Sequence, residues 1–367
     1  MKISVTKKLK CLFYLGSALY AGTNLICQAE ASKFDLGQDS VIPTVPSLLQ
    51  TSSTQQVLAA ALKSMPTIAK AIGAKESTAE EKSSGKKAGA DRSFYASIQP
   101  YSSLTNVTKH SGNPGLRSTT QGLVANTQYK ITNSFSLGIM AMTSKLHYKM
   151  GHSFGEGNNE NVSAGVLGNY DLPSNGYING AFMASENNFS NNRPTLSGAV
   201  ARESHKGYET MGALGAGMTV PLCCQINLSP FINMGYVRSL QNKYTEEGVA
   251  GHNIHSQTRL SDSLQTLVGG SLSKTFVMDD SIVTPSFSIG YIRDQSLKRR
   301  NKAALSFVGS NQVYDINLSN AKSQKLCADI GVLVLKKNAV SLYAGIGGQL
   351  NRWQQSAYAA VNIGYRF

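Results

Sequence analysis

From residue 93 onward the apolar positions of this chain recur every second residue, segment after segment. In the last segment Val361, Ile363, Tyr365 and Phe367 share one face while Ala360, Asn362, Gly364 and Arg366 share the other, because successive side chains of a strand point to opposite sides. Phe94, Ala96, Ile98 and Pro100 open the series, followed by Leu123, Ala125, Thr127 and Tyr129, and then by Phe135, Leu137, Ile139 and Ala141. Further strands are predicted near 162–170, 177–184, 214–218, 226–236, 264–272, 283–291, 326–334 and 342–350, which with the terminal strand makes about twelve. Pro230 falls inside one of them, where a missing N–H is awkward for any sheet.

The connections alternate too. Those at 132–133, 172–175, 221–225, 277–280 and 336–338 are short, and those near 103–118, 146–159, 187–206, 238–260 and 294–315 are long and polar, the brief one near Asn351 excepted. This rhythm, with no apolar run long enough for a membrane helix, predicts a transmembrane antiparallel up-and-down β-barrel. It puts the tight turns and both barrel ends in the periplasm and the long loops outside. A soluble sandwich would show similar alternation, but the second face carries Gly, Ser, Asn and Gln rather than surface charges, which suits a polar lumen.

Before residue 93 the pattern changes. Val57, Leu58, Leu62, Met65, Ile68 and Ile72 recur at three- and four-residue steps, which draws an apolar stripe along a short α-helix over residues 55–75, kinked at Pro66. This helix either threads the barrel pore or lies on a membrane surface. Residues 1–31 read as a cleaved secretory signal: Lys2, Lys7, Lys8 and Lys10 precede an apolar core, and Ala29-Glu30-Ala31 supplies a small-x-small cleavage site. The expected domains are therefore a signal at 1–31, a short leader or passenger remnant with a flexible tether at 32–92, and the barrel at 93–367.

The hairpin from Gln121-Gly122-Leu123-Val124-Ala125 to Leu137-Gly138-Ile139, with the closing Asn362-Ile363-Gly364-Tyr365-Arg366-Phe367, resembles the translocator β-domain of the autotransporters, the type V secretion family. The resemblance implies an outer-membrane barrel of a Gram-negative bacterium, with no catalysis. It implies insertion by the barrel-assembly machinery, which would read Val361, Ile363, Tyr365 and Phe367, and a pore helix before the first strand. It also implies translocation or display of an N-terminal segment. The leader is far shorter than the β-helical passengers common in that family and shows no esterase-type or subtilisin-like stretch. A non-secreting porin or adhesin acting through its external loops is the alternative.

Composition refines the partners. The formal charge of +14 falls to +11 when four lysines and one glutamate leave with the signal. For an exported chain the phosphates met are those of lipopolysaccharide and outer-membrane lipids, not nucleic acid. Arg293, Lys298, Arg299, Arg300 and Lys302 form the densest basic cluster, a candidate loop for an anionic ligand, host-surface polymers included. No cofactor or metal site is expected: His252 and His255 lack a companion acid or thiol at ligand spacing, and His147, His152 and His205, with Glu156, Glu203, Glu246 and Glu247, read as solvated loop residues. Catalysis at the barrel rim is disfavoured for want of a site. Cys223, Cys224 and Cys327 leave an odd number of thiols in the mature chain, and the first two are neighbours, badly placed to bond each other.

Overall fold

Each alternating segment is a strand in the computed structural model, which describes residues 94–109, 115–151, 155–195, 198–249, 251–297, 301–318, 323–336 and 340–367. Twelve wall strands run in chain order: β1 Phe94–Val107, β2 Leu116–Lys130, β3 Phe135–Met150, β4 Glu156–Leu172, β5 Gly176–Pro194, β6 Val200–Met218, β7 Ile226–Gln241, β8 Arg259–Lys274, β9 Ser281–Ser296, β10 Ser323–Lys336, β11 Val340–Leu350 and β12 Gln354–Arg366. Each pairs antiparallel with its neighbour, and β12 pairs with β1 from Tyr95 opposite Arg366 to Val107 opposite Gln354. The sheet is thus a closed barrel without a free edge, the arrangement that satisfies backbone groups inside a bilayer. The helix expected over residues 55–75 and the signal at 1–31 lie outside the described residues.

The outward face of each strand changes character along its length. On β3 Leu137 and Ile139 project outward, Ile139 being 65% exposed, and above them Lys145, His147 and Lys149 take the same face. On β6 Leu214 and Tyr208 give way to Lys206, Ser204 and Arg202. Outward apolar side chains therefore form a belt near the short-turn rim, and the strands continue past it as a polar wall.

That continuation corrects three of the expected long loops. Residues near 103–118, 146–159 and 187–206 belong mostly to strands: β1 reaches Val107, β3 reaches Met150 and β5 reaches Pro194. The next strands begin as soon as Leu116, Glu156 and Val200. Above the belt the outward face turns polar and polar residues mix into the inward one, so hydropathy alternation fades, while backbone pairing needs no apolar face and carries on. The connection β7–β8 also contributes Tyr244–Thr245 and Ile254–Ser256, and β9–β10 contributes Asn301–Phe307 and Val313–Leu318, which join in a four-stranded antiparallel sheet.

Pro230 and Pro100 sit at ladder gaps. The pairing of β6 with β7 ends at Gly217 opposite Phe231, one residue before Pro230, and resumes with Val220 opposite Leu228. Pro100 likewise falls where β1 and β12 skip from Ile98 to Tyr101. A proline tolerated at a gap has no donor to lose. On the short-turn rim, Ser174 and Asn175 (φ 68° and 63°) and Cys224 and Gln225 (φ 60° and 61°) take consecutive left-handed conformations, which match tight hairpin turns to the strand twist.

Candidate functional site

Inward side chains divide the lumen into levels. Within the belt the wall is not purely polar as expected: Val124, Met140, Met142, Leu167, Met183 and Met211 form one contacting apolar cluster with Tyr101 and Val237. A smaller one joins Phe231, Leu267, Ile292 and Cys327. Four methionines give this lining an adaptable surface. Their inward parity was legible in the sequence, since each alternates with an outward residue, but the contact between strands as distant as β1 and β7 was not.

Above the belt an apolar cluster of Leu116, Tyr148 and Met150 persists near β2 and β3, and beside it the inward residues become hydrogen-bonding and ionic. Tyr148 of β3 donates to Asn191 Oδ1 of β5 at 2.6 Å, and the Asn191 amide donates to Glu203 Oε1 of β6. His205, two residues further on β6, bonds through Nδ1 to Glu203 Oε2 at 2.7 Å. A carboxylate only accepts, so Nδ1 carries the proton. The imidazole is stacked between Phe189 and Tyr244, with ring centroids 4.7 and 4.6 Å away, and its Nε2 is buried without a hydrogen bond. Phe189 comes close because position 207 is glycine: a Cβ there would meet the ring at 2.9 Å.

The β7–β8 connection completes this level. Glu247 exchanges two 2.8 Å backbone bonds with Arg202 of β6, which extends the wall beyond the last β6–β7 pair and turns Tyr244 and Glu246 inward. Arg193 of β5 grips Glu246 with Nε and Nη2 at 2.8 and 2.6 Å and also donates to the His252 carbonyl at 2.7 Å. Ile254 N–H donates to the same carboxylate at 2.8 Å. The bond to Glu246 raises the Arg193 pKa. Burial, and then the charge of Glu203, raise the phenols of Tyr148 and Tyr244 above the ordinary tyrosine value. Burial pulls Arg259 down to about 10.

These contacts correct the reading of His205, Glu203 and Glu246 as solvated loop groups, since all three side chains are buried at the mouth of the barrel. The sequence signal existed in the alternation of Glu203, His205, Gly207 and Glu209 against Arg202, Ser204, Lys206 and Tyr208, but with charges on both faces it has no hydropathy. The arrangement ties hairpin to loop. A carboxylate–imidazole pair resembles acid–base machinery, yet the second imidazole nitrogen is enclosed between rings. Among the described residues no three His, Cys, Asp or Glu side chains gather for a metal.

Of the sequence-derived candidates, Val361, Ile363 and Tyr365 project outward on β12, and Phe367, just past its end, is exposed too. Phe367 packs edge-on against Tyr365 and lies 5.6 Å from Phe94 across the seam, where its N–H donates to the Phe94 carbonyl. Arg293 is exposed on β9 and Lys302 lies in Asn301–Phe307, whereas Lys298, Arg299 and Arg300, like Val57, Leu58, Leu62, Met65, Ile68 and Ile72, fall outside the described residues. Cys223 and Cys224 are free, exposed thiols on a short turn, and Cys327 is buried.

No curated protein matches the chain. Among solved structures, the translocator domain of the autotransporter NalP from Neisseria meningitidis is similar at 16% identity, with a TM-score of 0.61 over 85% of this chain and 98% of that one. The β-domain of the Bordetella autotransporter BrkA is similar at 11% identity and a TM-score of 0.61, over 75% of this chain and all of the other. At such identities the likeness is one of fold. The autotransporter β-domain family model matches residues 96–347, more than half of the chain, and this protein therefore belongs to the autotransporter β-domain family.

Proposed function

We propose that this barrel translocates or displays its N-terminal segment across the outer membrane of a Gram-negative bacterium, without catalysis. The observation that carries the reading is the methionine-rich apolar lining inside a closed twelve-strand wall. A conducting pore has no need of such a lining, whereas an amphipathic segment threaded through the lumen needs a surface for its apolar stripe. Val57, Leu58, Leu62, Met65, Ile68 and Ile72 supply that stripe on a segment directly before β1. In this reading residues 1–31 direct export and are removed, and residues 32–92 are the short passenger remnant and tether.

The short turns and the Phe94–Phe367 seam then face the periplasm, and the polar wall faces outward. The outward row of Val361, Ile363, Tyr365 and Phe367 is the surface the barrel-assembly machinery would read. Arg293, with Lys298, Arg299, Arg300 and Lys302, would meet lipopolysaccharide phosphates or an anionic host polymer. The four-stranded sheet beyond the belt favours a second reading, an adhesin that acts through its external surface and exports nothing.

Protease shaving of intact cells carrying an epitope at about Gln38 separates the two. Loss of the epitope with survival of the barrel is the expected result. An epitope protected until the outer membrane is opened overturns translocation and leaves the adhesin.

A further inference from the structure

In a closed ring of twelve strands β10 stands across the lumen from β4, and β11 from β5, and the two sides carry different chemistry. On one side are Met140, Leu167 and Met183 of β3, β4 and β5. On the other is Asp329 of β10, inward by its alternation with the exposed Ala328 and Ile330 and partly open to the lumen. Tyr358 of β12 hydrogen-bonds to its carboxylate, and Tyr343 of β11 lies within reach of its charge. Gly347, paired with both Asp329 and Tyr358, lets them meet: a Cβ there would stand 2.7 Å from the Asp329 Cβ and 2.5 Å from the Tyr358 ring.

These two sides are at one height. Register rows climb the wall as they pass round it: the row that opens with Phe94, Tyr129 and Leu137 has reached Arg293 and Gln324, near the far ends of β9 and β10, before it closes on β1 beside Val107. A full circuit therefore climbs the 14 residues of β1. The row through Asp329, Tyr358, Ser103 and Leu146 meets β4, half a circuit on, at Asn159. Half the climb below Asn159, the position on β4 level with Asp329 falls next to Leu167.

The segment 55–75 has the matching asymmetry. On a helical period Lys63 and Lys70, seven residues apart, share one face, nearly opposite the centre of the stripe drawn by Val57, Leu58, Leu62, Met65, Ile68 and Ile72. A carboxylate that accepts from one phenol keeps lone pairs for an ammonium, whereas a lysine turned onto the methionine side would be desolvated without a counter-charge.

We propose that Asp329, braced by Tyr358 and Tyr343, is the seat for the Lys63–Lys70 face of this segment, and that it fixes the segment's rotation in the lumen, with the apolar stripe on the methionines of β3 and β5 and the lysines on β10. This seat rests on the reading of residues 55–75 as a lumen occupant, and adds which way they face.

The test keeps both lysines and Asp329 and uses the full chain in outer membranes, with Cys223→Ser and Cys224→Ser to remove the exposed thiols. Thr67→Cys, on the lysine face, is combined with Ser288→Cys, which pairs with Asp329 on β9, and Ile68→Cys, on the stripe, with Met183→Cys. A short bismaleimide is expected to join these two pairs and to leave the exchanged pairs, Thr67→Cys with Met183→Cys and Ile68→Cys with Ser288→Cys, several-fold less joined. Asp329→Asn should lower the Thr67–Ser288 yield several-fold, and Asp329→Lys with Lys63→Asp and Lys70→Asp should restore it. Equal yields from matched and exchanged pairs overturn the fixed rotation while leaving the segment in the lumen. A yield indifferent to Asp329→Asn overturns the seat. No joining in any of the four pairs overturns the lumen reading itself and the seat with it.

Discussion

The belt and the polar wall above it are built from the same strands, yet different forces hold them. In the belt, Ile139, Val162, Leu214 and Ile346 face lipid, and what fixes each residue's orientation is the penalty for placing a polar group there. In the wall the outward face is wet and the inward one mixed, and orientation is fixed by specific partners: Arg193 on Glu246, Tyr148 and His205 on the Asn191–Glu203 chain. The first kind of order is generic and tolerant within a hydropathy class. The second is specific, and a single side chain can undo it.

Substitutions that remove a partner in the wall should cost the most locally. Arg193→Ala leaves Glu246 buried against only a backbone N–H, and breaking a buried pair costs about 3–5 kcal/mol. Hydrogen exchange over 244–256 should rise sharply while the belt strands stay protected. Equal exchange in both regions would show that the wall is not a separate cooperative unit. In the belt, Ile139→Lys should cost about 2–4 kcal/mol, read from urea unfolding in vesicles. Ser204→Lys, outward on the wall, should change stability by less than about 0.5 kcal/mol.

A smaller effect separates the regions by pH. Burial raises the Tyr148 and Tyr244 phenols above their unfolded value near 10. Their neutral forms therefore stabilise the mouth below about pH 10, and that contribution is lost as pH rises beyond it. Arg259, lowered to about 10, has the opposite sign, since its buried charge costs stability below that pH. The phenols act as a pair and should dominate. Thermal midpoints from pH 8 to 11.5 should fall at the alkaline end in the wild type and fall less in Tyr244→Phe. The smallest change is expected at Lys145, whose 2.8 Å pair with Glu160 is exposed on both sides: Lys145→Ala should shift stability by no more than about 0.5 kcal/mol.

Within the belt the strands, their order and the facing of residues such as Val124 against Leu123 were legible, because lipid outside and lumen inside impose a period of two. The short turns were legible from their lengths. The wall was misread as loops at Asn187–Asn192 and Arg202–Lys206, where a single apolar residue, Phe189, stands among Asn, Ser, Glu, His and Lys and sets no hydropathy period. The ionic mouth was missed for the same reason, and because His205 of β6 and Tyr244 of the β7–β8 connection meet only when Glu247 pairs with Arg202.

Local pattern thus determined that this chain makes an antiparallel barrel, which residues face lipid, and where the tight turns lie, since each depends on the alternation of neighbours in sequence. Closure at the β1–β12 seam and the clustering of four methionines from β3, β5 and β6 were decided by tertiary structure alone. They depend on which strands the register brings face to face across the lumen, and a one-residue slip, invisible in composition, would turn every one of those side chains to the other side.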